Sequence, residues 1–485
     1  MNQATTRPRR KRSEEGVALI LAITTVAILA VMLADMHETT GTAFAVSTSQ
    51  RDALQAEYMA KSALNLTRLL IAKEPEVRRF VDPLYRGATG RPAPQLPVWN
   101  FVNEILSPFC TPEDQRGTLM QLGIDFGDTV GFDNLPGECH VIAVSENGKI
   151  NVNDPLFLDG ERARNNVATQ LFSLTGGQLP DSPYDMLFTK ADETGTLTTR
   201  IDLITAVIDW WDHDIQRTDF DPGAGLTRTG GTGTEDDSLY QLYDSPYRNK
   251  NAPFDSIEEL RLVRGFNDDF WATFVEPIPN DPASRIMTIY ASGLVNVNEA
   301  SSQVLLGRIC SYAPDISLCT DPLEGLKFTQ ILSTIRQLLP IPLFSRPTDL
   351  LDFIEGKGSE KDLYGMVTGF LGPDSELIFV PVEIPAEQRT PLVRSFATSA
   401  SIFSIEATGL VGRSQVRIKS VVNFAFLRTT LRGSEMERYA EASLPYSAES
   451  ESESEENLLA SAVAQILAEG ERPPDRIIAS LGGEA

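Results

Sequence analysis

The chain is poor in the residues that chemistry at neutral pH usually needs. Its 485 residues include 3 His, at His37, His140 and His213, and 4 Cys. No Gly-x-Ser-x-Gly elbow, His-Glu-x-x-His string or phosphate loop accompanies them, so the signatures of acyl transfer, zinc proteolysis and nucleotide hydrolysis are missing and no catalytic residue is assigned. Basic residues are also short, with 42 Lys+Arg against 67 Asp+Glu and a net charge of -25. That balance excludes nucleic acid as the main partner, because phosphate binding needs clustered Lys and Arg. Apolar residues are not short. At 42% of the chain they are too many for a disordered protein, and the length allows roughly two to three domains with their own cores.

Much of the basic charge at the start is concentrated in Arg7, Arg9, Arg10, Lys11 and Arg12, ahead of Glu14-Glu15-Gly16. Val17 to Ala34 then runs apolar, interrupted by Thr24 and Thr25. The span falls within the roughly 17 to 25 residues that a membrane-crossing helix needs, and the basic flank places its start on the cytoplasmic side and the rest of the chain outside. A cleaved secretory signal is the alternative, disfavoured because no small-x-small site follows. Instead Asp35, His37 and Glu38 lead into a stretch without Gly or Pro between Phe44 and Lys73. Its Ala53, Leu54, Ala56, Tyr58, Met59, Ala60, Ala63, Leu64, Leu66, Leu69 and Leu70 predict an amphipathic continuation of the helix to about Ala72.

Residues 74–136 hold eight prolines, from Pro75 to Pro136, and are expected to be a connection with short elements. Cys139 to Val144 predicts a strand, and Asn147-Gly148 predicts a hairpin turn into Lys149 to Val152. Ser401 to Gly409 and Gln415 to Phe426 predict two more strands turning at Gly412. Between them Leu203 to Trp211, Ser256 to Val263, Asp268 to Val275, Ala300 to Ile309 and Phe328 to Leu339 predict helices. Four cysteines, Cys110, Cys139, Cys310 and Cys319, allow two disulfides in an extracytoplasmic chain; sequential pairing is the least strained of three, with a free buried thiol as the alternative for Cys139. From Gly433 onward the chain turns rich in Ser and Glu, an expected disordered tail in which Leu458, Leu459, Val463, Ile466 and Leu467 keep helical spacing.

A basic leader ending in Gly16, followed by an apolar helix that becomes amphipathic, resembles the type IV pilin-like proteins. Leu21 stands at the fifth position after Gly16, where most of that family has Glu. The subfamily that normally lacks this Glu is the minor pseudopilin K of type II secretion, also called general secretion pathway protein K. The resemblance extends to Gly148-Lys149-Ile150-Asn151-Val152-Asn153, Ile208-Asp209-Trp210-Trp211-Asp212-His213-Asp214, Glu235-Asp236-Asp237, Asn251-Ala252-Pro253-Phe254, Arg264-Gly265 and Asn296-Val297-Asn298-Glu299-Ala300-Ser301. It implies cleavage by prepilin peptidase between Gly16 and Val17 and methylation of the new N-terminal Val17. It also implies an α+β fold, in which a pilin-like N-terminal helix and antiparallel sheet carry a large helical domain inserted in the sheet domain. The expected parts are a leader 1–16, a helix 17–72, a sheet domain 73–154 and 390–430, a helical insertion 155–389 and an acidic tail 431–485. The implied role is capping the tip of the secretion pseudopilus, during protein export across the outer membrane. The implied partners are minor pseudopilins I and J, with the helix in the inner membrane and the head in the periplasm. A single-pass periplasmic calcium-binding protein without a fibre role is the competing reading, and a secreted calcium-dependent hydrolase is a third. Asn296-Val297-Asn298 before a helix also looks like the start of a DNA-binding helix-hairpin-helix, but Met287 to Gly307 holds no Lys or Arg.

Asp209 to Asp244 gathers nine carboxylates against Arg217 and Arg228. Packed near Trp210 and Trp211, they would take up protons or unfold the loop unless a cation neutralised them. Calcium suits such a loop because it takes oxygen ligands in flexible geometry, whereas zinc and copper recruit Cys and His. The resemblance carries the ligand role to Asp212, Asp214, Glu235, Asp236 and Asp237. A solvated acidic loop without an ion is the plain alternative. Asp209 and Asp212, three apart at a helix end, are read as structural or ion-binding rather than as an acid/base pair.

Overall fold

This computed structural model describes residues 14–110, 137–153, 160–179, 181–191, 195–234, 240–339, 341–357, 363–372, 375, 377–424 and 476–478. The chain divides into two compact units. One gathers 1–63, 107–140 and 408–417, the other 64–106, 141–407 and 418–485. Helix α1 (Glu14–Thr89) has 76 residues. Strands β1 (Glu138–Ser145), β8 (Ile402–Val411), β9 (Ser414–Asn423) and β10 (Arg476–Ile478) form a sheet in the order β1-β8-β9-β10. Helices and short strands fill the interval between β1 and β8, so the class is α+β.

In the first unit, α1 buries Ala56, Met59, Ala60 and Ala63 completely. Their spacing of three and four residues is the core-facing stripe of an amphipathic helix. Val411 and Val416 pack on Ala56 and Met59. The approach is very close, since a Cβ built on Gly409 would overlap the Ala56 carbonyl oxygen and lie 2.9 Å from the Ala60 nitrogen. Glycine is therefore the residue that lets strand and helix meet here. Gly412 turns the chain from β8 to β9 with φ +59°, a left-handed conformation in which glycine carries no side-chain strain.

In the second unit the stripe continues through Leu64, Thr67, Ile71 and Glu74, all buried. The helix runs on past the end expected near Ala72 and through Pro75 and Pro83. The chain leaving it turns back and fastens to it. Glu74 Oε1 accepts from Leu96 N at 2.8 Å, and Asp82 Oδ1 accepts from Ala93 N at 2.8 Å. These tertiary bonds hold two turns that a proline-based reading ends early. Helix α2 (Val102–Cys110) follows. Along β8, Phe403, Ile405 and Ala407 are buried at the period of two that a strand requires, and Trp99 packs 4.8 Å from Phe403.

The Asn147-Gly148 turn does not close a hairpin. β2 (Ile150–Asn151) pairs instead in parallel with β5 (Met287–Thr288). Asn147 Oδ1 accepts from the backbone nitrogens of Ser401 and Ile402, both at 2.8 Å, which leads the chain away from β1.

The interval from β2 to β7 (Phe396–Ala397) is built twice on one plan. In each copy a two-residue strand, β2 or β6 (Val295–Asn296), opens an Asn-Val-Asn string. The first Asn accepts from the second Asn's backbone, Asn153 N to Asn151 Oδ1 at 2.9 Å and Asn298 N to Asn296 Oδ1 at 3.0 Å. The second Asn clamps both backbone groups of a distant Phe. Asn153 holds Phe254 at 2.9 and 3.0 Å, and Asn298 holds Phe344 at 2.9 and 2.9 Å. Beyond each Phe a carboxylate accepts a backbone N–H, Glu259 from Asp255 and Asp349 from Ser345. Each copy closes on a strand parallel to its first, β5 on β2 and β7 on β6. The first copy carries helices α3 (Gly160–Leu174) and α4 (Arg200–Trp211), the second α5 (Ser302–Tyr312) and α6 (Pro322–Leu338). A hairpin of β3 (Gln216–Asp221) and β4 (Leu226–Thr234) is inserted after α4. Buried Arg308 joins the copies, donating to Asn166 Oδ1 at 3.1 Å and to the Gly293 carbonyl at 2.9 Å.

Candidate functional site

The acidic corner forms where α4 ends. Thr199 starts the helix with a capping box to Asp202, and Leu203, Ile204, Val207, Ile208 and Trp210 bury its apolar face. At Asp212 the backbone turns extended, with ψ 164°. Asp209 is on the last helical turn, where its Oδ1 accepts from Thr218 N at 2.9 Å and so fixes the base of the hairpin. Burial pushes its carboxyl up to about 7; the Thr218 hydrogen bonds oppose this and Asp212 adds to it. Asp212 is itself buried, with Arg164 Nη1 at 4.0 Å from Oδ2. Asp214 caps the next strand, accepting from Gln216 N at 2.8 Å.

A second segment closes over this corner. Asn249 Nδ2 donates to the Asp209 carbonyl at 2.6 Å and Asn251 Nδ2 to the Asp214 carbonyl at 3.1 Å. His213 Nδ1 lies 3.1 Å from the Asn251 carbonyl. Asn251 has φ +48°, a left-handed conformation that asparagine tolerates better than most residues. Its Oδ1 is buried and makes no hydrogen bond among the described residues. Below them Trp210 stacks on Phe254, with centroids 6.4 Å apart.

Of the five expected ion ligands, Asp212 and Asp214 meet in this corner, and Glu235, Asp236 and Asp237 lie outside the described residues. Among the described residues no three His, Cys, Asp or Glu side chains are arranged to hold a metal ion. Among the described residues the donors of this corner are the Asp212 carboxylate and the Asn251 amide oxygen, with the His213 imidazole beside them and no sulfur. The two oxygen donors are of the kind a hard cation such as calcium takes. The sequence reading missed Asn249 and Asn251 as parts of the corner. Asn251 heads the Asn-Ala-Pro-Phe string, and an Asn at a turn beside an acidic run was the available signal.

At the other end of the chain, Gly16 and Val17 belong to the first turns of α1, and Val17 and Leu21 are exposed. The leader residues 1–13 lie outside the described residues. The apolar start of α1 is long and apolar enough to cross a membrane, and none of it is buried. Cys310 and Cys319 form a disulfide. Cys139 is also disulfide-bonded, so the free-thiol alternative does not hold; the Cys110 side chain lies outside the described residues. The expected tail helix at 458–467 lies outside them as well, while residues 476–478 pair antiparallel with β9.

These features define an α+β protein with one candidate membrane span among the described residues, at its N-terminal helix. No protein-family model matches the chain, and no curated protein matches it. Among solved structures it is similar to a chain of the GspK-GspI-GspJ complex from the type 2 secretion system of enterotoxigenic Escherichia coli. The identity is 12% and the TM-score 0.38, over 79% of this chain and 95% of that one. At that score the likeness decides nothing about this chain's partners or activity.

Proposed function

We propose that this chain is a minor pseudopilin of the K type, capping the tip of a type II secretion pseudopilus and serving protein export across the outer membrane. The observation that supports this best is α1. Its exposed apolar start is followed on the same helix by a stripe of small residues locked to a β-hairpin at Gly409. A helix of this design is held in the inner membrane until assembly and afterwards packs against neighbouring helices in a fibre, while its fixed head stays in the periplasm. Prepilin peptidase would free the N-terminus between Gly16 and Val17, and methylation would follow at Val17. Leu21 in place of a Glu suits the tip, where no subunit above offers an N-terminal amine for a carboxylate to match.

Minor pseudopilins I and J are the expected partners. Co-purification of the detergent-solubilised chain with both, in equal amounts, tests the assignment. Recovery of the chain alone under conditions where I and J bind each other would contradict it.

We also propose that the acidic corner binds calcium. Asp212, Asp214 and the carboxylates of the Glu235-Asp236-Asp237 run would hold it, with the Asn251 amide oxygen beside them. The ion would supply charge neutralisation and no reaction. Chelation should then lower the melting temperature of the chain by several degrees, and calcium but not magnesium should restore it. An unchanged melt would remove the ion from the account.

A further inference from the structure

Helix α6 buries Phe328, Ile331 and Leu332 in the core. The stripe beside them, Gly325, Leu326, Thr329, Gln330 and Ser333, keeps the same spacing of three and four but lines an open cavity of about 610 Å³. From α5, Ser302, Gln303, Leu306 and Cys310 form the facing wall, and Ser173, Gln178, Leu179 and Tyr184 supply a third. The α5 and α6 walls are tied to each other. Ser302 Oγ and Ser333 Oγ meet at 2.8 Å, and one helical stretch away the Cys310–Cys319 disulfide fixes α5 to the chain entering α6. The cavity is therefore preformed, and its volume falls in the range of about 300 to 1,000 Å³ usual for small-molecule sites.

Its lining is polar without being charged. It includes no Lys, Arg, His or Glu, and Asp321 is its one carboxylate, with Oδ1 accepting from Leu323 N at 2.9 Å at the start of α6. The remaining polar groups are amides and hydroxyls. Gln303 Nε2 donates to Tyr184 Oη at 3.3 Å, which leaves Gln303 Oε1 and the Tyr184 proton without a partner among the described residues. The Gln330 side chain makes no hydrogen bond among them either. A solvated helix face is normally charged and a packed one apolar, so a stripe of neutral polar residues facing another across a cavity breaks the helical pattern in a way expected of a site.

The same lining narrows the ligand. An anion would need Lys or Arg, and a metal ion would need more than one carboxylate. An extended peptide adds to a sheet edge and an amphipathic helix fills an apolar groove, whereas these walls are helical and their centre is polar. Amides and hydroxyls both donate and accept, which matches a ligand whose own groups do both. Leu179, Leu306 and Leu326 add apolar surface beside them. We infer that this cavity binds a neutral oligosaccharide, its hydroxyls on Gln303, Gln330 and Tyr184 and its C–H faces on the leucines. The inference goes beyond the pseudopilin assignment and does not depend on it.

Isothermal titration calorimetry of the full chain, in a detergent without a sugar headgroup, tests it with two neutral probes, the N-acetylglucosamine tetramer and maltotetraose. Saturable binding of at least one is expected, with the same affinity at low and high salt because the ligand carries no charge. Gln303→Leu and Gln330→Leu should each weaken it about tenfold. A thermal melt of each variant separates lost binding from lost folding, and Gln330→Leu should leave the melt unchanged. Failure of both sugars to bind would overturn the inference. So would undiminished binding by the two folded variants, or an affinity that falls steeply with salt.

Discussion

Gly409 and Glu299 each control packing or stability through a single side-chain position. Gly409 is the point where strand backbone reaches helix backbone, and nothing larger fits without moving one of them. Gly409→Ala should cost about 1 to 3 kcal/mol by overpacking. Gly369→Ala, with open space around its Cβ position inside a helix, should be neutral or slightly stabilising. Melting temperatures of the two variants compare them directly; equal effects would contradict the close approach. Glu299 makes a pH-dependent contribution. Burial raises its carboxyl to about 7, with the nearby Trp99 and Arg336 pulling the other way. The folded state thus holds a proton that the unfolded state has already released. The associated stability is complete below about pH 4.5 and is lost as pH rises through about 7. Denaturant unfolding at pH 5 and pH 8 should show a loss on the order of 2 kcal/mol in the parent and much less in Glu299→Gln.

At the scale of elements, the Asn clamps organise the helical region. Asn153 and Asn298 each satisfy both backbone groups of a Phe that begins the next segment, so each Ala substitution leaves two peptide groups without partners. Asn153→Ala and Asn298→Ala should each cost roughly 2 to 4 kcal/mol, and by similar amounts. A clear inequality in denaturant midpoints would show that the copies are not energetically equivalent. The strings Asn151-Val152-Asn153 and Asn296-Val297-Asn298 were visible in the sequence, yet their equivalence was not. Three identical residues carry little weight until the distant Phe254 and Phe344 are seen in the same grip. The amphipathic continuation of α1 was legible from its apolar residues, but not which of them are buried, since Ala56, Met59, Ala60 and Ala63 are enclosed while Leu54, Tyr58 and Leu69 are exposed. Its end was not, because Pro75 and Pro83 argue locally for a break that Glu74 and Asp82 override through bonds to residues twenty-two and eleven positions away. The Asn147-Gly148 turn misled for a related reason. Turn chemistry is local, but the partner of β2 is β5, more than a hundred residues on.

At the scale of the whole molecule, the fold joins one long N-terminal helix with an apolar start to an α+β arrangement of sheet and helices. The acidic corner was legible as a place of concentrated charge, through Asp209, Asp212 and Asp214. The Asn249 and Asn251 side that completes it was not, since amides carry no charge signal. The central claim, a pilin-type subunit released from a leader, is tested most directly at the N-terminus of the membrane-bound form. Mass spectrometry should find a chain beginning at Val17 with a methylated amine when prepilin peptidase is present, and the leader attached when it is absent. A membrane-bound chain that retains residues 1–16 in the presence of an active peptidase would contradict the account.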